Sequence, residues 1–145
     1  MNRRDLLVTF GAVAAVVARP AHATSSEMEA AIRGYADGKP VTRGKVKLDV
    51  PPLVENGNAV PVTVTVQSPM TAGEHVVGIA IFNDRNPQRD VAVFTLGPRA
   101  GRASISTRIR LATSQRLVAV AEMSDGTFWQ HDADVIVTLA ACIET

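Results

Sequence analysis

Valine occupies every second position from Val60 to Val66, with Thr63 and Thr65 in between. Side chains alternate across a strand with a period of two, so this run has one apolar face and one polar face, and a helical period does not fit it. The same period returns at Val46, Leu48 and Val50, which alternate with lysines and Asp49, and at Val77, Ile79 and Ile81. Further strand-like runs occupy residues 90–96, 103–111, 116–123, 127–131 and 134–140. Turn chemistry separates them, at residues 83–87, Gly97-Pro98, Thr113-Ser114 and Asp125-Gly126. About eight short strands over roughly 100 residues, uninterrupted by helices, predict an all-β fold. The expected architecture is an immunoglobulin-like antiparallel β-sandwich without the usual disulfide, because the chain has one cysteine.

One helical segment precedes the strands. Ser26-Glu27-Met28-Glu29 has capping-box spacing, and Met28, Ala31, Ile32 and Tyr35 recur at the intervals of an amphipathic helix. Gly38 and Pro40 stop it. So short a helix is marginal alone, so its apolar stripe is expected to lie on a sheet.

The first 23 residues read differently. Arg3 and Arg4 stand before an apolar run at residues 6–18, followed by Arg19, Pro20 and the small-x-small triplet Ala21-His22-Ala23. Such a run is too short to cross a bilayer, which takes roughly 20 residues. The paired arginines resemble a twin-arginine export signal. The expected organisation is a signal peptide at 1–23, a helical segment at 24–38, a sandwich at 39–139 and a cysteine arm at 140–145. The signal holds three arginines and one aspartate, so 12 basic and 13 acidic residues follow it. A chain so balanced lacks the charge of a dedicated nucleic-acid binder. With no further apolar span and no lipid-accepting cysteine after the run, the expectation is a periplasmic protein without a membrane anchor.

Catalytic signatures are scarce. Beyond residue 23 the chain has two histidines, His75 and His131, read as solvated residues of a turn and a strand end. Asp132 and Asp134 are read as turn acids at a strand start, too few for a cation site by themselves. Nucleophile-elbow, zincin, phosphate-loop and dinucleotide patterns are absent. No enzyme and no cofactor are expected.

Cys142 is the exception. A single cysteine directly after the last strand of an exported protein calls for a use, because a thiolate forms disulfides, persulfides and other sulfur adducts. A blue-copper site needs two histidines and usually a methionine, some of them after the cysteine, where only Ile143, Glu144 and Thr145 stand. A non-haem iron site with several histidines needs more than the two available. A prenylation box is opposed by the acidic Glu144 and by the export signal. A cysteine packed as a small hydrophobe is the structural alternative. A softer signal is the cluster Arg99, Arg102, Arg108, Arg110 and Arg116. Arg108 and Arg110 are expected to face outward beside Ser104 and Ser106, as an anion- or partner-steering stripe or a solvated sheet face.

These features together resemble the SoxY family, sulfur-carrier proteins of periplasmic thiosulfate oxidation. The local likeness lies in Val54-Glu55-Asn56-Gly57-Asn58-Ala59-Val60-Pro61-Val62 with Ser68-Pro69-Met70, in the stretch from Thr107-Arg108-Ile109-Arg110 to Phe128-Trp129, and in Val135-Ile136-Val137-Thr138-Leu139 leading to the cysteine. The resemblance implies a non-enzymatic carrier that holds a sulfur intermediate covalently on Cys142 and presents it to periplasmic sulfur-processing enzymes. It also implies a heterodimer with a SoxZ-like sandwich subunit; a homo-oligomer is the alternative. In that family the cysteine sits in a Gly-Gly-Cys-Gly-Gly swinging arm. Here Ala140, Ala141, Ile143, Glu144 and Thr145 surround it, as in SoxY-related paralogues with an AACIE arm. Alanine and isoleucine reach fewer backbone conformations than glycine, so this arm is stiffer and bulkier. Glu144 disfavours the thiolate and repels an anion such as thiosulfate. The carrier role therefore transfers more readily than the substrate. The rival reading is a structural or adaptor domain with an inert cysteine.

Overall fold

The computed structural model describes residues 25–139. The expected signal peptide and all six arm residues, Cys142 among them, lie outside the described residues.

Helix α1 (Ser26–Tyr35) is followed by nine strands among the described residues: β1 (Val41–Arg43), β2 (Val46–Asp49), β3 (Leu53–Asn56), β4 (Val60–Val66), β5 (Val76–Asn83), β6 (Asp90–Thr95), β7 (Ser104–Ile109), β8 (Gln115–Met123) and β9 (Phe128–Leu139). The larger sheet runs β1-β9-β8-β5-β6, with β3 also paired to β9; the smaller runs β2-β4-β7. The inward-facing residues of both sheets form one core, which includes Leu48, Val62, Val64, Ile79, Ile81, Leu117 and Val135. Each such aliphatic side chain contributes about 1.5–3 kcal/mol on burial.

The alternation read at Val60–Val66 places Val60, Val62, Val64 and Val66 in the core. On the outer face Thr63 meets Ser106 at 2.9 Å across the β4–β7 pair. β5 departs from simple alternation. A register shift between Val76 and Gly78 turns Val76 inward as well. Ala80 and Phe82 are also buried, because the outer face of this strand is covered by α1.

Met28, Ile32 and Ala36 of the helical segment form that cover against Ala80, Phe82, Val118, Val120 and Phe128. The Tyr35 ring meets Phe82 and Phe128 edge-on, each 5.9 Å away between centroids. A Cβ at Gly78 would lie 2.7 Å from the Tyr35 hydroxyl, so a glycine is needed there. The helix begins one residue earlier than the capping-box spacing suggests. Ser25, not Ser26, is the N-cap, and its hydroxyl accepts the Met28 N–H at 3.2 Å.

Two further corrections concern the last strand and its neighbours. The runs at 127–131 and 134–140 are not separate strands: β9 continues unbroken from Phe128 to Leu139. The sandwich is mainly antiparallel, but β1 and β3 both run parallel to β9 on the same edge. Between β1 and β2 the chain changes sheets at Gly44 and Lys45, both with positive φ, and Lys45 Nζ lies 4.7 Å over the Trp129 ring.

Candidate functional site

The expected carrier residue, Cys142, follows Leu139 by three positions. Three residues span at most about 10 Å, so whatever this thiol reaches is set by where β9 ends and how firmly it is held.

The end of β9 is held from both sides. Its ladder with β8 stops at the pair Gln115–Val135. Beyond it, Ser114 Oγ accepts the Val137 N–H at 2.8 Å, taking over from the missing strand neighbour. On the other edge β3 pairs Leu53 with Ile136, Val54 with Val137 and Asn56 with Leu139. The Ile136 N–H donates to the Pro52 carbonyl at 2.9 Å, and the Leu139 carbonyl accepts the Gly57 N–H at 2.9 Å. Gly57 in turn accepts the Leu111 N–H at 2.8 Å, joining this corner to the chain leaving β7. The segment before the arm is thus a fixed strand through its last described residue.

Around this exit the surface is apolar. Leu53 and Ile136 are each 58% exposed and Leu139 is 63% exposed. Alternation places Leu53 and Ile136 side by side on the outer face, opposite buried Val54 and Val135, and puts Leu139 on the other side of the strand.

His131 is not a solvated strand end. It sits in the middle of β9, and its Nδ1 accepts the Leu48 N–H of β2 at 2.9 Å, tying the two sheets together. Nδ1 is therefore the unprotonated ring nitrogen in the neutral form. His75 is half-buried in a turn, 3.1 Å from the Thr71 carbonyl.

Asp132 and Asp134 are not turn acids at a strand start; both lie within β9. Asp132 Oδ1 is 2.8 Å from Arg43 Nη1, and Arg116 Nε is 3.1 Å from Asp134 and 3.8 Å from Asp132. The Asp132 Oδ1 contact is an ion pair without hydrogen-bond alignment. Hydrogen bonding to Asp134, with these carboxylates nearby, raises the Arg116 pKa above its ordinary value despite partial desolvation. Among the described residues no group of three or more histidine, cysteine, aspartate or glutamate side chains is placed to hold a metal ion.

The arginine cluster divides. Arg108 and Arg110 are exposed at the β7 end of the smaller sheet, as alternation predicts, while Arg116 belongs to β8 in the larger sheet. A cleft of about 310 Å³ lies between α1 and the larger sheet, lined by Arg33, Lys39, Arg43, Arg116, Gln130 and Asp132 among others. It is remote from the exit. Seven residues of extended strand, about 23 Å, separate Asp132 from Leu139, beyond the reach of the Cys142 thiol.

Sequence reasoning located the strand leading into the cysteine but missed what holds it. Ser114 was legible only as a turn residue, and β3 was read for its family likeness rather than as a strand. Leu53-Val54 with one buried and one exposed apolar residue is too short a pattern to signal a strand by itself.

No curated sequence matches the chain. Solved structures do. The sulfur carrier protein SoxY from Chlorobium limicola f thiosulfatophilum superposes with a TM-score of 0.65 at 31% identity, covering 79% of this chain and 98% of that one. The likeness identifies the architecture as the expected immunoglobulin-like β-sandwich. Superoxide reductases share it. Neelaredoxin from Ignicoccus hospitalis gives a TM-score of 0.58 at 17% identity, over 72% of this chain and 91% of that one. The superoxide reductase from Nanoarchaeum equitans gives 0.57 at 9% identity, over 66% of this chain and 100% of that one. At such identities the likeness is one of fold alone. The family of sulfur oxidation protein SoxY matches residues 32–142, a span that runs from α1 through the held strand to Cys142. By that match and by the 31% identity to a SoxY structure, the chain belongs to the SoxY family.

Proposed function

We propose that this protein is a non-catalytic periplasmic sulfur carrier, in which Cys142 bears a sulfur-containing intermediate covalently and residues 140–145 present it to partner enzymes. The observation that carries the reading is the SoxY family match, which ends at Cys142, the chain's one cysteine. The held end of β9 supports it, since a rigid base confines the thiol to a small volume and lowers the entropy lost on entering an enzyme.

The chemistry has a definite balance. Joining a thiol to a sulfur anion through an S–S bond releases a proton and two electrons, so loading needs an electron-accepting partner enzyme. Two-electron reduction of that S–S bond returns the thiol and the sulfur anion. The sandwich docks a SoxZ-like subunit as well as these enzymes. Export by the twin-arginine route and a periplasmic location follow from residues 1–23 and from the general habit of the family. No helix among the described residues is long and apolar enough to cross a membrane.

Thiol labelling of the folded protein tests the presentation of Cys142. Rapid modification, lost in Cys142→Ser without change in the unfolding transition, is expected. Labelling only after denaturation would instead support a packed, inert cysteine in a structural domain.

A further inference from the structure

Four large apolar side chains stand exposed among the described residues: Leu53, Val93, Ile136 and Leu139. Three of the four flank the point where the chain leaves the sandwich for Cys142. Leu53 and Ile136 are register partners on the outer face of the β3–β9 pair, and Leu139 lies on the opposite side of the same strand end. Natural sheet surfaces ordinarily carry polar residues at such positions, as the outer face of β4 and β7 does here with Thr63, Thr65, Ser104 and Ser106.

We propose that Leu53, Ile136 and Leu139 form the docking surface for the enzymes that load and unload Cys142, seating the rim of an active-site entrance. The inference rests on the carrier reading. Its geometric support is reach. Cys142 extends at most about 10 Å from Leu139, and Ile136 lies about 10 Å from Leu139 along the strand. The thiol is thus tethered within about 10 Å of Leu139 and about 20 Å of Ile136, so the entrance of an enzyme that takes it in stands beside this strand end. Apolar side chains that become fully desolvated there act as binding anchors, which a client shared among several enzymes needs in a place common to all.

Charge narrows the partner further. The outer face beside this patch carries exposed Glu55, whose carbonyl lies 3.3 Å from the Thr138 hydroxyl and which makes no ion pair among the described residues. Asp134, two residues before Ile136, is exposed as well, in its pair with Arg116. The occupant is thus an enzyme whose entrance is rimmed by aliphatic residues and at least one basic side chain facing Glu55.

The test compares wild type with the double variant Leu53→Ser, Ile136→Ser. Both positions are exposed, so the fold is expected to survive. The loaded fraction of Cys142 is read by intact mass on protein recovered from the cell's own periplasm. In parallel, purified reduced protein is loaded chemically with tetrathionate. There the thiolate attacks a central sulfur, the new S–S bond leaves a thiosulfate on Cys142, free thiosulfate departs, and tetrathionate is the oxidant. The expected result is a fall of about tenfold or more in the cell-loaded fraction, with the tetrathionate rate unchanged within about twofold. Glu55→Lys is expected to lower the loaded fraction in the same direction. An unchanged loaded fraction in the double variant overturns the docking surface and leaves the carrier reading standing. A wild-type protein recovered bare under conditions of active sulfur metabolism, with a thiol that resists labelling until the chain is unfolded, overturns the carrier reading itself. A change in sedimented mass of the double variant at unchanged loading shows instead that a second copy or a sandwich subunit covers the patch.

Discussion

Ser114 Oγ accepts the Val137 N–H at 2.8 Å, two residues past Val135, the last residue of β9 to pair with β8, opposite Gln115. The hydroxyl stands where the next residue of β8 would have offered a carbonyl. It joins the β3 pairing, Pro52 and Gly57 in holding the strand end that leads to Cys142. Replacing Ser114 with Ala leaves that N–H without its partner, at a cost of about 1 kcal/mol. Hydrogen exchange at the Val137 amide is expected to speed up, with exchange in β5 unchanged. Equal protection in the variant would show that β3 alone holds the strand end.

The bond from Leu48 N–H to His131 Nδ1 crosses between the sheets at 2.9 Å. Leucine at position 131 has similar bulk but no acceptor, so His131→Leu strands a partly buried N–H and is expected to lower stability by about 1–2 kcal/mol. Urea denaturation measures this. A variant as stable as wild type would mean that water replaces the imidazole at this edge.

Tyr35 is the one tyrosine of the chain, so its ionisation is readable by phenolate absorbance without overlap from another. Burial, with Glu122 adding to it, pushes its pKa up to about 12 from the ordinary 10.0. The folded state therefore holds this proton more tightly than the unfolded state. Its stabilising contribution is complete below pH 10.0 and is lost as the pH rises toward about 12. Since the group is half-exposed, solvent screening reduces the effect to about 1 kcal/mol. Tyr35→Phe is expected to flatten this part of the pH dependence, and a wild-type phenolate that titrates near 10 would contradict the packing of Tyr35 against the larger sheet.

Much of this fold was legible because the alternation is strong where both faces of a strand have clear fates. Val60–Val66 faces core on one side and solvent on the other, so its register could be read directly. The pattern failed on β9, where Asp132 and His131 occupy positions that look like a break. Asp132 is ion-paired with Arg43 and Arg116 and His131 accepts the Leu48 amide, partners that come from distant parts of the chain and leave no local signal. The parallel pairing of β1 and β3 with β9 was hidden for a related reason. A strand's partner and direction follow from tertiary packing, whereas its period follows from burial alone. The candidate site was legible as a cysteine after a strand; the clamp made by Ser114, Pro52 and Gly57 was not, because two of its three contacts are made by backbone groups that any residue carries.

Intact mass spectrometry of the protein, purified gently from its own periplasm and measured with and without reductant, tests the carrier account most directly. The account predicts a defined, reductant-labile adduct that maps to Cys142 and is missing from Cys142→Ser, its mass identifying the class of cargo. A protein recovered bare under conditions of active sulfur metabolism, with a thiol that resists labelling until the chain is unfolded, would contradict it.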